Sequence, residues 1–210
     1  MVKNIIFDMG GVLISLDKKN CIKEFEGLLM FEGFEKYIDS YHQKGFFARF
    51  ENGDISSDEF RDEIRRKSKL PMIGDRQIDF AVQSFLGDIK LSTVDYLLSL
   101  KRKYTLFLLS NTNEIAFPKC REKFLSCKGI PMERVFDKLY LSYEMKLSKP
   151  DPKIFRSMIS DSGILPEECL FVDDASENIA VASGLGFRTL LFDPAFNIKE
   201  LVENYLKKNG

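Results

Sequence analysis

Apolar residues fall along this chain in two textures. Ile5-Ile6-Phe7, Tyr104-Thr105-Leu106-Phe107-Leu108-Leu109 and Cys169-Leu170-Phe171-Val172 are short, nearly continuous runs, and weaker ones cover Lys138 to Ser142 and Thr189 to Phe192. Runs of this length without alternation predict strands covered on both faces. Helical signals separate them. Ser92 is placed to cap a helix whose apolar positions are Val94, Leu97, Leu98 and Leu100. Asp151-Pro152 opens another, with proline at the first helical position. A helix after Asp173-Asp174 stops at Gly184 or Gly186, and Asn197 caps a closing amphipathic helix that contains Glu200. Strands alternating with helices imply an α/β fold built on a doubly wound parallel sheet.

Residues 16–91 break that rhythm. They are polar, helical in period and rich in phenylalanine, with no strand-like run. Asp17 is placed to cap the first helix there, and Ser56-Ser57-Asp58-Glu59 reads as a capping box. Phe46, Phe47, Phe50 and Phe60 recur at mostly helical spacings and predict the core of a small helical unit. Glu51-Asn52-Gly53-Asp54 is turn material between two of its helices. The segment is too long for one crossover. The division expected is a core of residues 1–15 and 92–210 with an inserted cap of residues 16–91.

Composition narrows the partners. With 44% hydrophobic and 30% charged residues among 210, the chain reads as soluble and globular. A net charge of −1 without a basic block argues against nucleic acid or an anionic membrane. No signal-like leader and no 18-residue apolar run is seen. Cys21, Cys120, Cys127 and Cys169 are scattered, and lone His42 completes no zinc site with them. Free thiols in a reducing cytoplasm are the expectation, in a monomer or weak dimer. The shortage of histidine also argues against Ser-His-Asp and Cys-His hydrolases.

Polar chemistry collects at three predicted strand ends: Asp8, Ser110-Asn111 and Asp173-Asp174. In a parallel sheet these ends share one edge, where open α/β folds bind ligands. An Asp there serves as a nucleophile or as a hard oxygen ligand, and carboxylates crowded together call for a cation such as Mg²⁺. Ser110-Asn111 suits an oxyanion or, more plainly, caps the next helix. Lys149, between Ser148 and Pro150, is either surface or aimed at the same pocket.

Taken together and in order, Asp8-Met9-Gly10-Gly11-Val12-Leu13, Ser110-Asn111, Lys149-Pro150-Asp151-Pro152 and Asp173-Asp174 with Asn178 resemble the four motifs of the haloacid dehalogenase-like hydrolase superfamily. The resemblance spans essentially the whole chain. It implies a Rossmann-like core with sheet order 5-4-1-2-3 and a helical cap. It also implies a Mg²⁺-dependent phosphatase of a small phosphorylated metabolite. Asp8 would be nucleophile and metal ligand, with the carbonyl of Gly10, Asp174 and Asp173 (directly or through water) as further ligands. Ser110 and Asn111 would bind the phosphoryl group, and Lys149 would neutralise it and orient Asp8. The stretch Ser40-Tyr41-His42 through Ser56 is similar to the caps of glucose-1-phosphate phosphatases and, more distantly, to the phosphatase domain of soluble epoxide hydrolase, which makes His42 a candidate substrate contact.

Gly10 departs from the commonest pattern, in which a second Asp two residues after the nucleophile is the general acid and base. The glucose-1-phosphate phosphatases share this glycine. A sugar-1-phosphate, with its readily departing anomeric oxygen, is therefore the expected substrate. The alternatives are a catalytically silent metabolite-binding protein and a metal-independent dehalogenase, the latter disfavoured by the Asp173-Asp174 pair.

Overall fold

A computed structural model of the chain describes residues 1–39, 43–70 and 72–209. Five parallel strands, β1 (Asn4–Phe7), β2 (Thr105–Ser110), β3 (Lys138–Leu141), β4 (Cys169–Asp173) and β5 (Arg188–Leu191), form a sheet in the order β3-β2-β1-β4-β5. This is the expected 5-4-1-2-3 order read from the other edge. The unbroken hydrophobicity of the strands has a direct cause. Ile5, Phe7, Leu106, Leu108, Leu170 and Val172 enter one apolar cluster, while Ile6, Phe107, Leu109 and Phe171 enter another on the opposite face. Both faces are covered, so both parities must be apolar.

Ten α-helices are defined among the described residues. α1 (Lys18–Lys23), α2 (Phe46–Glu51), α3 (Ser57–Lys67) and α4 (Asp75–Gln83) lie between β1 and β2, with a π-helical turn at Glu24–Leu28 and a 3₁₀ turn at Phe34–Tyr37. α5 (Leu91–Leu100), α6 (Ala116–Lys128), α7 (Ser142–Met145), α8 (Pro152–Ser162), α9 (Ser176–Gly184) and α10 (Ile198–Asn209) follow. α5, α6 and α10 supply the first sheet face with side chains such as Leu97, Phe117 and Val202. α8 and α9 supply the other with Ile154, Phe155 and Ala182.

Most of the expected caps form. Asp17 accepts from the Asn20 N–H at 2.9 Å, Asp151 from the Lys153 N–H at 2.8 Å, and Asn197 from the Lys199 N–H at 2.9 Å. Ser56 and Glu59 make the reciprocal capping box. Ser92 is a correction. α5 starts one residue earlier, at Leu91, with Lys90 in the cap position and no side-chain cap. Burial of Ile89, Thr93 and Val94 decides where this helix begins, and Ser92 is left exposed in its first turn.

The helical insertion has its own apolar cluster. Phe25, Phe34, Phe47, Phe50 and Phe60 are all fully buried in it, joined at its edge by Ile115 and Ala116 at the start of α6. Phe50 stacks on Phe60 with centroids 4.1 Å apart, and Phe47 meets the same ring edge-on at 5.2 Å. Entering and leaving chains are laced antiparallel where they cross from the sheet. The Gly87 N–H donates to the Ser15 carbonyl at 2.8 Å, and the Asp17 N–H to that of Phe85 at 2.8 Å.

Candidate active site

Strand register assembles the site. Phe7 pairs with Leu108 on one side and Val172 on the other, so Asp8 emerges level with Leu109 and Asp173. The chain then turns sharply, with the Leu13 and Ile14 N–H groups donating to the Met9 carbonyl at 2.9 Å each. Gly11 sits at φ +78°, and a Cβ there would run into the Asp174 carboxylate. A glycine is what allows Asp174 to approach this turn.

Lys149 is the centre of the electrostatics. Its Nζ donates to Asp8 Oδ1 at 2.7 Å and to Asp173 Oδ2 at 2.7 Å, with side-chain exposures of 1%, 11% and 0% for Lys149, Asp8 and Asp173. Asp173 is saturated. Oδ1 also accepts from the Ala175 N–H at 2.8 Å, and the Asn178 amide donates to both oxygens at 3.0 and 3.1 Å. Asp173 therefore holds the ammonium in place, while Asp8 keeps an oxygen turned to other partners.

Asn111 has both ends of its amide committed. Nδ2 donates to the Lys149 carbonyl at 2.8 Å and Oδ1 accepts from the Lys149 N–H at 2.9 Å, a reciprocal clamp on the backbone of a residue 38 positions away. The Lys149–Pro150 peptide is cis. The helix-capping work falls to Asn113, whose Oδ1 accepts from the Ala116 N–H at 2.9 Å and the Ile115 N–H at 3.2 Å. Ser110 is freed from that duty. Its hydroxyl, in a residue only 1% exposed, has a single long contact of 3.4 Å to the Asn111 carbonyl.

Asp8, Gly10, Ser110, Asn111, Lys149, Asp174 and Asn178 line one cavity of about 70 Å³, roofed by Phe47, Val82, Phe85 and Leu86 of the insertion. Glu51, at the end of α2, joins this wall. Burial pushes the Asp8 carboxyl up to about 7, against the pull of Lys149 and helped by Asp173 and Asp174. Burial and Asp173 push Asp174 up to about 6. Lys149 moves up as well: burial alone would lower it, but Asp173 and Asp8 outweigh that.

Three carboxylates thus face one ammonium. Asp8, Asp173 and Asp174 each offer an oxygen within 4.8 Å of the others. Asn178 Oδ1 is buried without a partner among the described residues, an acceptor that a water on a hydrated ion would satisfy. Excess negative charge, all-oxygen donors and a spare acceptor suit Mg²⁺, which keeps several of its waters. The residues fit the ion.

Of the residues singled out from sequence, all but Asp173 and His42 line the cavity directly; Asp173 reaches it through Lys149. His42, with Ser40 and Tyr41, lies outside the described residues. Glu51 belongs to the turn within the cap stretch Ser40 to Ser56, and it is this residue of the turn that lines the cavity. No helix among the described residues is long and apolar enough to cross a membrane.

A parallel sheet with a carboxylate, a hydroxyl, a lysine and a carboxylate pair at its strand ends defines a class of hydrolase. Residues 2–186 match the haloacid dehalogenase-like hydrolase family, and the chain belongs to it. It is 39% identical over 191 residues to the D-ribitol-5-phosphate phosphatase of Bacteroides thetaiotaomicron, covering 90% of this chain and 91% of that one. A wild-type HAD-family enzyme of the same organism, solved in complex with magnesium and inorganic phosphate, superposes with a TM-score of 0.89 at 40% identity, covering 96% of this chain and 99% of that one. A HAD-like family hydrolase from Porphyromonas gingivalis gives a TM-score of 0.90 at 38% identity, with 99% and 98% covered.

Proposed function

We propose that this protein is a Mg²⁺-dependent phosphatase that hydrolyses a small sugar or polyol phosphomonoester through an aspartyl-phosphate on Asp8. One observation carries the reading: the buried Lys149 Nζ, 2.7 Å from Asp8 and 2.7 Å from Asp173, in a cavity shared with Ser110 and Asp174. Asp8 attacks phosphorus with the oxygen that Lys149 does not hold. Lys149, fixed by Asp173 and by the Asn111 clamp, neutralises charge that builds on the phosphoryl oxygens. The Ser110 hydroxyl is free to donate to one of them. Asp8, the Gly10 carbonyl and Asp174 would hold Mg²⁺, which supplies further charge neutralisation when bound. Residues 16–91 act as a cap that closes the site from solvent and selects the alcohol part of the substrate. A dehalogenase needs no cation, and would gain nothing from Asp174 beside Asp8.

D-ribitol-5-phosphate, for which that relative is named, carries its phosphate on a terminal alcohol, and this favours a polyol or sugar phosphorylated at a terminal carbon over a sugar-1-phosphate. The test is phosphate release from ribitol 5-phosphate and glucose 1-phosphate, with and without Mg²⁺, beside Asp8→Asn. Turnover should vanish on chelation, return with Mg²⁺, be lost in folded Asp8→Asn, and be faster on the polyol phosphate. Turnover undiminished in Asp8→Asn would overturn the mechanism, and a preference for glucose 1-phosphate would overturn the substrate assignment.

A further inference from the structure

The core has no group at position 10 to protonate a departing alcohol. A Cβ at Gly10 would start 3.3 Å from Leu16 Cδ1, so the place beside it is apolar. A terminal alcohol is a poor leaving group, and without a proton donor its departure is slow. The acid has to come from elsewhere in the cavity wall. Among the described residues there, the ionisable ones are Asp8, Glu51, Lys149 and Asp174. Asp8 is the nucleophile, Asp174 sits with the cation ligands, and Lys149 is held by two carboxylates.

We propose that Glu51, the last residue of α2, is the general acid and base of the reaction, an assignment that rests on the phosphatase reading above. Glu51 lines the cavity, and the backbone that carries it is fixed there. The Ser142 hydroxyl of α7 donates to the Glu51 carbonyl at 2.5 Å, and the Ser148 hydroxyl donates to Asn52 Oδ1 at 3.2 Å. Gly53, at φ +70°, lies so close to the Tyr143 carbonyl that any Cβ there would collide with it. The backbone of residues 51–53 is thereby pinned to the segment that also carries Lys149. Phe50, stacked on Phe60, fixes the helix on its other side. Burial and then the Asp8 charge push the Glu51 carboxyl up to about 8.

In the first step an Asp8 oxygen bonds to phosphorus and the bond from phosphorus to the leaving oxygen breaks. Its electron pair stays on that oxygen, which takes the proton from Glu51, and the alcohol departs. In the second step the Glu51 carboxylate takes one proton from water as the water oxygen bonds to phosphorus. The bond from phosphorus to Asp8 breaks and its pair returns to the carboxylate. Inorganic phosphate leaves with both groups restored.

The test compares Glu51→Gln, Glu51→Asp and the unaltered protein, with Mg²⁺, on ribitol 5-phosphate and p-nitrophenyl phosphate. Nitrophenolate needs no proton to depart, so its release in the first turnover should be little changed in Glu51→Gln. A slow steady state should follow that burst, because water attack has lost its base. On ribitol 5-phosphate the first turnover itself should fall by on the order of 10²–10⁴-fold, the usual contribution of a positioned acid. Glu51→Asp, which keeps a carboxyl, should recover part of the loss. Equal losses on both esters in the first turnover, or a Glu51→Gln variant that turns over the polyol phosphate normally, would overturn the assignment of Glu51 and leave the phosphatase reading standing. Failure of the unaltered protein to hydrolyse either ester would overturn both.

Discussion

Replacing Lys149 by methionine keeps the length of the side chain and removes its charge. What remains is Asp8 in the cavity wall and Asp173 buried behind it, with side-chain exposures of 11% and 0%. An exposed ion pair contributes ~0–1 kcal/mol, whereas removing one partner of a buried pair costs about 3–5 kcal/mol because the other charge is stranded. The burial here places Lys149→Met in the second class. For a chain of this size that cost lowers Tm by on the order of 6–20 °C. Part of it depends on pH, and the direction is fixed. The Asp8 carboxyl already stands at about 7, against 3.8 ordinarily, and losing the attraction of Lys149 raises it further. A carboxyl whose pKa is higher folded than unfolded costs nothing below its unfolded value and its full penalty above the folded one. The deficit of Lys149→Met should therefore be largest above neutrality and shrink as the pH falls from there toward 4. Thermal unfolding of native and variant protein without divalent cations, across that pH range, measures it. Adding Asp8→Asn to the variant should recover much of the loss, since one stranded carboxylate is gone. A variant as stable as the native protein above neutral pH, or a deficit that grows on acidification, would refute the reading of this ion pair.

Two further substitutions probe how the site is held. Asn111→Ala should lower kcat far more than it raises KM, because the clamp on the Lys149 backbone, 2.8 and 2.9 Å, goes while the cavity wall barely changes. It should also cost about 1–3 kcal/mol in urea unfolding through the groups left unpaired; an unchanged kcat would show that the clamp does not position Lys149. Phe60→Ala, under the rings of Phe46, Phe47 and Phe50, should destabilise by about 3–5 kcal/mol, and a loss below about 1 kcal/mol would mean that the phenylalanine cluster is not close-packed.

The sheet was legible because each strand must be apolar on both faces, which leaves little room for another reading of Ile5-Ile6-Phe7 or Cys169 to Val172. The strand-end chemistry was legible for a related reason: a polar group directly after such a run has one place to go. Local signals served less well where distant contacts decide. Ser110-Asn111-Thr112-Asn113 offers several candidate caps, and the choice falls on Asn113 because the Asn111 amide is drawn to Lys149. Ser92 loses its cap role to the burial of Ile89 and Val94 around it. Glu51 is the sharpest case. Its neighbours in sequence spell a turn, and nothing within them points to a strand end 43 positions earlier. Its place depends on Ser142 and Tyr143, which α7 brings under the turn from the far side of the chain.

The division of groups between sheet and insertion has a consequence for selectivity. Asp8, Asp173 and Asp174 sit on strand ends or the turns directly after them, in positions set by the register of the sheet, and Lys149, beyond α7, is tied to them through Asn111. Under the assignment above, the proton donor comes from the insertion, and it reaches the cavity only where residues 51–53 seat on Ser142, Tyr143 and Ser148. The alcohol part of the substrate must then lie beneath Phe47, Val82, Phe85 and Leu86, in the same roof that carries Glu51. A phosphomonoester too bulky to let that seat form loses shape complementarity and its proton donor together. Discrimination then appears in kcat as well as in KM, because the interaction lost is one made in the transition state. An acid on the strand-1 turn would serve any ester whose phosphate reaches Asp8. One carried by the insertion serves esters that fit beneath it, and the exchange of Asp for Gly at position 10 thereby ties proton delivery to substrate choice.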